Sequence, residues 1–265
     1  MTAPPMYDIR LLTTQAEFEA CAALQRVIWG IPEAEAMSSI TMHALAMEYP
    51  RLGILLGAFD RNDMVGFTVF MASFDQQTAY GHMLGVRPEC RDSGLGGHLM
   101  QETTGLLKQQ GVRYYCFTFD PLESRNAHLY LNRQGAVGIK FKPDAYGVSG
   151  AMHGGLPMDR LLARVDLDAP LPLPPPGFDE ALQQYPVATV GQAPESESVL
   201  VEVPADIARL REQDHAAALA ASQSARALFH TYITIGGLVS SALIRGEQNG
   251  LPRSFHLLKR PVESR

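Results

Sequence analysis

Cysteine is scarce in this chain and badly spaced for chemistry. Its three cysteines, Cys21, Cys90 and Cys116, form no CxxC pair and no Cys/His ligand spacing, which argues against a disulfide framework and against a structural metal. No apolar run reaches the roughly 18 residues that a membrane span requires, and the opening MTAPPMYDIR lacks a basic stretch followed by an apolar one. A soluble, cytoplasmic protein without a membrane partner is expected. Positive charge is also short: 22 Lys+Arg stand against 28 Asp+Glu, a net charge of -6. Duplex-binding surfaces show a basic excess or stripe, so no nucleic-acid partner is expected, although local basic pockets stay open. What the chain does have is apolar material. At 265 residues and 46% hydrophobic, it can bury a core in one large domain or two modest ones.

The clearest compositional boundary is PLPLPPP, residues 170–176. Successive prolines cannot donate backbone hydrogen bonds, and the stretch stays rich in proline, glycine and polar residues to about Ser198. The expected division is a first domain over 1–169, an extended connector over 170–197 and a smaller lobe over 198–265. Strand and helix signals alternate in the first segment. GILLGAF from Gly53 and MVGFTVFMAS from Met64 flank a short turn and predict an antiparallel hairpin. AYGHMLGV, from Ala79, predicts a third strand. Leu95, Leu99, Thr103 and Leu106 repeat at helical spacing before Gly111. The whole reads as a mixed α/β sheet with helices on both faces. Beyond the connector, strand, helix, strand, strand recurs, consistent with a partial internal duplication or with chance recurrence.

The informative stretch is HMLGVRPECRDSGLGGHLM, from His82 to Met100. A strand ends at Val86, Pro88 breaks it, and Arg91, Asp92, Ser93, Gly94, Leu95 and Gly96 lead into a helix. A helix start offers unpaired amides and the positive end of its dipole, and glycines let a phosphate approach them. The GxGxxG fingerprint fails, because Leu99 stands where its last glycine belongs, and no GxxxxGK[ST] occurs. The residues Val86, Pro88, Arg91, Gly94 and Gly96 instead resemble the V-x-P-x-x-R/Q-x-x-G-x-G/A motif of the GNAT (GCN5-related N-acetyltransferase) superfamily. The resemblance covers most of the first segment and implies a GNAT-like, mostly antiparallel sheet flanked by helices, with the smaller C-terminal α/β lobe as a partial repeat of it. It also implies acetyl-CoA or another acyl-CoA as co-substrate, with no metal. Leu84, Gly85 and Val86 would then contact the pantetheine and acyl group, and Arg91, Ser93, Gly94, Leu95 and Gly96 would wrap the pyrophosphate.

In the next helix the family pattern N-x-x-A-x-x-x-Y-x-x-x-G-F meets SRNAHLYLNRQGA. Aligned on Ala127 and Gly135, it puts Leu131 where the tyrosine acid belongs and Ser124 at the asparagine position. Tyr130 is one residue away, about 100° around a regular helix, and needs a shifted helix to replace it. Asn126 is displaced by two, yet remains a candidate coenzyme contact. The longer match TFDPLESRNA, LNRQGAV, DAYG and HGGLPMDR resembles a bacterial GNAT branch with a C-terminal extension and, within it, amino-acid N-acyltransferases that use succinyl- or acetyl-CoA.

An N-acyltransferase needs a neutral amine near the thioester, a route for its proton and donors for the oxyanion. His82, on the strand that presents the thioester, is the base candidate, against a hydrogen-bonded structural histidine. Asp120 follows the strand FTF and is a candidate for holding the ammonium or relaying its proton, against a turn-capping role before Pro121. Tyr146, His153 and Arg160 in DAYGVSGAMHGGLPMDR are candidate acceptor contacts, with Arg160 suited to a carboxylate. A surface ion pair of Asp159 with Arg160 or neighbours is the plainer reading of those charges. Trp29, the only tryptophan, is either an acceptor wall or a core anchor. The expected function is transfer of an acetyl or succinyl group to a small amine such as an amino acid. The alternatives are an acyl-CoA-binding sensor with little turnover and acylation of protein amines. The chain is expected to be a monomer with pseudo-dimeric lobes or a homodimer.

Overall fold

The computed structural model describes residues 7–146, 155–170 and 172–261. Its internal contacts divide the chain into Met1–Phe117 and Thr118–Arg265.

The first unit holds, in order, β1 (Asp8–Leu11), α1 (Gln15–Trp29), α2 (Ser39–Ala46), β2 (Gly53–Asp60), β3 (Asp63–Ala72), β4 (Thr78–Val86), α3 (Leu95–Gln109) and β5 (Tyr114–Phe119), the last crossing into the second unit. The strands lie in the order β1-β2-β3-β4-β5, antiparallel except for the parallel last pair. The expected hairpin is β2–β3, closed at Asp60↔Asp63. Both strands are buried along nearly their whole length, as their unbroken apolar runs require. α1 starts on a capping box between Thr14 and Glu17 and stops at Gly30 in the left-handed conformation. Its Phe18, Cys21 and Leu24 enter a core with Leu55, Phe59, Phe67 and Val69. α3 buries Leu95, Leu99, Thr103 and Leu107, so the stripe ends on Leu107 where the sequence pattern pointed to Leu106.

The second unit holds α4 (Ser124–Ala127), which continues as a π-type segment His128–Arg133, then β6 (Val137–Lys142), β7 (Arg160–Asp166), α5 (Phe178–Gln184), β8 (Val187–Ala188), β9 (Ser198–Val203), α6 (Ile207–Gln213), α7 (His215–Phe229) with a second π-type segment His230–Ile235, β10 (Val239–Gln248) and β11 (Leu251–Lys259). Its strands run in the order β7-β6-β10-β11-β9-β8. The stretch read as an extended connector contains α5. Seven residues are too few to reveal a helical period, and packing supplies the stability: Phe178 lies 6.1 Å from Phe255, over Gly246, where any Cβ would stand 2.2 Å from the Phe178 ring.

The recurrence beyond the connector is residue-specific in three dimensions. His128, Tyr130, Leu131, Gly135 and Val137 correspond at one constant spacing to His230, Tyr232, Ile233, Gly237 and Val239. Both π-type segments close with the same pair of backbone bonds: Gln134 N–H to Leu129 O and Ala136 N–H to Tyr130 O, against Gly236 N–H to Thr231 O and Leu238 N–H to Tyr232 O. Both glycines are left-handed, φ 71° and 69°. Both following hairpins carry a bulge at the same place, after Gly138 in β6 and after Ser240 in β10. Those two equivalent residues, Gly138 and Ser240, pair with each other across the antiparallel β6–β10 contact. Equivalent positions facing each other are the mark of a local two-fold relation.

A buried hydroxyl pair ties α3 to the first sheet. Thr103 Oγ1 donates to Leu99 O at 2.7 Å, so the 2.9 Å contact between Thr68 and Thr103 is donated by Thr68. Thr68→Val should cost about 1–3 kcal/mol in urea denaturation by stranding an acceptor, and the double variant with Thr103→Val should cost less than the sum of the single ones. Additive costs would contradict the pairing.

Candidate active site

β4 changes character along its length. Its parallel pairing with β5 runs from Thr78↔Tyr114 to Gly81↔Phe117, while the strand itself continues to Val86. The β3 register slips at the same point, from Phe70↔Gly81 to Val69↔Met83, so His82 sits in a bulge without a partner in β3. A bulge bends and re-aims a strand, and it sets His82 apart from the regular alternation. The imidazole lies near Tyr80, with ring centroids 6.3 Å apart, and partial burial lowers its pKa from the usual 6.5. It is therefore neutral, and able to accept a proton, at neutral pH. Below the bulge the backbone approaches the core closely. A Cβ on Gly85 would stand 2.7 Å from Phe67 and 2.9 Å from Ile28, and Met83 packs against the same cluster. Leu84 and Val86 point to the other face, with Val86 Cγ2 3.8 Å from the Cβ position of Gly96.

The turn after β4 is held by its own side chains. Ser93 Oγ donates to Cys90 O at 2.7 Å and accepts a longer bond, 3.4 Å, from Leu95 N–H. Arg91 is exposed and directs Nε at Val86 O, 3.4 Å away. Gly94 caps α3 at φ 84°, a conformation that L side chains rarely adopt. A Cβ added at Gly94 or Gly97 would meet nothing within 4 Å. The first-turn amides of α3 have no intrahelical acceptor, and the dipole adds partial positive charge there. The cradle is therefore open, built of backbone donors and bordered by one exposed guanidinium. That combination suits a pyrophosphate.

A second set of groups converges in the other unit. Asp120 takes Leu122 N–H on Oδ1 at 2.8 Å, the turn-capping bond that its position before Pro121 suggests, and turns Oδ2 to Arg160 Nη1 at 3.8 Å. These side chains are 14% and 12% exposed. Burial pushes the Asp120 carboxyl up to about 6, although the Leu122 amide and Arg160 both favour its charged form. Tyr146 lays its ring over Arg160, 5.6 Å from ring centroid to guanidinium carbon, and shares a 2.9 Å hydrogen bond with Thr118 Oγ1. Tyr130 packs 5.5 Å from Phe119, and burial pushes its phenol up to about 12, so it stays protonated. The π-type turn at His128–Arg133 widens the helix where Tyr130 lies. A π-type turn is one residue longer than an α-turn, the same count by which Tyr130 is displaced from the motif's tyrosine position. Leu131, in that position by sequence, is buried at 1% exposure.

The structure thus gathers Leu84, Gly85, Val86, Arg91, Ser93, Gly94, Leu95 and Gly96 around one strand end and helix start, with His82 at the bulge above them. It gathers Asp120, Tyr130, Tyr146 and Arg160 in the second unit. Asn126 is exposed in the first turn of α4. Trp29 sits edge-on to Phe67, 5.7 Å between centroids, as a core anchor does. His153 lies outside the described residues. Asp159 is committed not to Arg160 but to Arg226, whose Nε and Nη2 reach its carboxylate at 2.8 and 2.5 Å. Arg226 and His256 were invisible to motif reasoning, since both come from far along the chain. Among the described residues, no group of three or more His, Cys, Asp or Glu could hold a metal ion, and no helix is long and apolar enough to cross a membrane.

Residues 18–136 match the model of the acetyltransferase (GNAT) family. Among solved structures, the ribosomal-protein-S18-alanine N-acetyltransferase from Escherichia coli is 17% identical, with a TM-score of 0.51 over 62% of this chain and 96% of its own. A putative GNAT-family acetyltransferase from Desulfovibrio desulfuricans is 15% identical, with a TM-score of 0.51 over 61% of this chain and 99% of its own. A putative phosphinothricin N-acetyltransferase is 17% identical, with a TM-score of 0.50 over 62% of this chain and its whole length. No curated protein matches the chain. At such identities these likenesses establish the fold, a mixed and mostly antiparallel α/β sheet flanked by helices.

The raised Asp120 pKa has a definite sign. The folded state holds that proton more tightly than the unfolded chain, so the favourable contribution is complete below about pH 4 and is lost as pH rises through about 6. Relative to Asp120→Asn, the wild type should lose about 2 kcal/mol of stability between pH 4 and 7. Denaturant titrations at several pH values read this directly. A difference that stays constant with pH would show that Asp120 is not desolvated.

Proposed function

We propose that this chain, whose residues 18–136 match the model of the acetyltransferase (GNAT) family, is an acyl-CoA-dependent N-acyltransferase whose acceptor is a small amine, an amino acid in the first instance. The observation that carries the proposal is the open helix start at Gly94, where Cβ-free approach, unpaired amides and Arg91 meet directly after β4. In this reading Arg91 and the amides from Ser93 to Gly96 take the pyrophosphate, and the β4 backbone from Leu84 to Val86, past its last pairing with β5, takes the pantetheine. Asn126 adds a polar contact from α4. The acyl group is acetyl or succinyl.

The acceptor assignment rests on charge. Arg160 has the planar donors that a carboxylate takes in bidentate fashion, and Asp120 is the acid that an ammonium seeks. Tyr146 covers the guanidinium. His82 is the proposed base. His82 takes one proton from the bound ammonium, the resulting neutral amine attacks the thioester carbonyl, the C–S bond breaks, and the second proton of the amine goes to the departing thiolate. The departing thiolate accepts a hydrogen bond from Tyr130, whose high pKa keeps it a donor. Direct attack needs no nucleophile from the protein, and Cys21, buried with its thiol pushed up to about 12, is unsuited to be one. The second reading, a binder of acyl-CoA with little turnover, is favoured by Leu131 in the motif's tyrosine position.

Coupled thiol release across acetyl- and succinyl-CoA and a panel of amines tests the proposal. Amino acids should outrun their decarboxylated amines, with Arg160→Gln erasing that preference. His82→Ala should lower kcat about 10²-fold. Thiol release with no acyl-CoA and amine pair would move the function to the binding reading, and an unchanged rate in His82→Ala would remove His82 from the mechanism.

A further inference from the structure

Two side chains of the C-terminal copy of the repeated unit, His256 and Arg226, bond residues directly beside Asp120 and Arg160. His256 on β11 is fully buried and bonded at both nitrogens: Nε2 lies 2.8 Å from Pro121 O, and Nδ1 lies 2.8 Å from Ser240 Oγ. A carbonyl oxygen only accepts, so Nε2 carries the proton and Nδ1 accepts from the serine hydroxyl. Phe119 stacks on the imidazole and Phe229 meets it edge-on, 6.5 and 5.2 Å between centroids. Pro121 follows Asp120 directly, so this bond fixes the backbone from which the carboxylate projects. Ser240 is the residue that faces its counterpart Gly138 across the two copies.

The other partner of the pair is held in the same way. Arg226 on α7 grips both oxygens of Asp159, and its Nη2 also reaches Asp144 Oδ1 at 2.8 Å. Asp159 Oδ1 in turn accepts Asp144 N–H at 3.0 Å, and Ala145 N–H bonds Met158 O at 2.9 Å. The knot closes immediately before Arg160 on one side and immediately before Tyr146, the ring over Arg160, on the other. Asp159 is only 8% exposed, and a bidentate clamp in that setting has one geometry.

We infer that the C-terminal copy serves acceptor recognition, with Arg226 (through Asp159) and His256 (through Pro121) as positioning residues that hold Arg160 and Asp120 at their separation. The 3.8 Å separation of Asp120 and Arg160 matters because an acceptor carrying both charges is held only if both of its ends are met together. The inference rests on the assignment of Asp120 and Arg160 as acceptor groups; the coenzyme cradle at Gly94 is not involved. It also gives the repeat a use: the second copy has no Gly-rich helix start of its own, and its equivalent of Tyr130, Tyr232, is spent on Pro194 O at 3.0 Å.

The test pairs a disrupting with a conservative change at each position, Arg226→Gln with Arg226→Lys and His256→Phe with His256→Gln, and measures steady-state kinetics, coenzyme A affinity and amide exchange by mass spectrometry. Arg226→Gln should raise the acceptor KM about 10-fold or more, with coenzyme affinity within about 2-fold of wild type, and Arg226→Lys should recover part of the loss. Amide exchange should accelerate in the segments 118–122 and 158–162 and stay unchanged in 84–97. Unchanged acceptor KM and unchanged exchange in a folded Arg226→Gln protein would overturn the inference, as would acceleration spread equally over 84–97. Should His256→Phe fail to fold, the Arg226 pair decides. Should the wild type acylate no amine, the proposed function falls, and the exchange pattern alone decides whether the copy holds these residues.

Discussion

Backbone amides without partners are costly in a protein unless something meets them, and the first unit is organised around a group of them. α3 has to begin at the end of β4, on a residue that turns the chain left-handed without a side chain in the way. Gly94 supplies that turn, Ser93 braces it against Cys90, and the glycines at 94 and 97 leave the approach clear. The rest of the unit keeps this junction rigid. β2 and β3 are buried on both faces, Thr68 and Thr103 lock α3 to them, and Phe67 fills the space that Gly85 leaves. A chain with a net charge of -6 thereby presents a local donor surface to an anion without needing a basic face.

The second unit solves a different problem, which is to keep an acid and a base beside each other with little water. Asp120 and Arg160 are each about one-eighth exposed, and the acid remains above its ordinary pKa despite the cation. The neighbours in sequence of both residues are tied down by the C-terminal copy. Pro121 and Asp159 carry those ties. An acid and a cation held side by side are the groups proposed above to meet the ammonium and carboxylate of an amino acid.

Much of the first unit was legible in the sequence because its signals are local. Apolar runs with a turn between them announced β2 and β3, and a proline, an arginine and two glycines in a fixed spacing announced the strand–turn–helix junction. Tyr130 shows where local reading stops. A regular helix places it about 100° from the motif's tyrosine position, and the π-type turn that surrounds it has no sequence signature of its own. α5 was hidden because a seven-residue helix beside prolines has too short a period to see. Arg226 and His256 were hidden because their meaning depends on partners far away in the chain: Asp159 and Asp144 for one, Pro121 for the other. The bulge at His82 was likewise a property of pairing with β3, which the alternation along β4 alone does not reveal.

The central claim is that the helix start at Gly94 holds the pyrophosphate of an acyl-CoA. Calorimetric titration of the full chain with coenzyme A, alongside Gly94→Val and Arg91→Ala, tests it most directly. The account predicts a dissociation constant in the low-micromolar range or tighter for the wild type, about -8 kcal/mol, and a marked weakening in both variants. Absence of binding by the wild type to free, acetyl- and succinyl-coenzyme A, or undiminished binding by Gly94→Val, would contradict it.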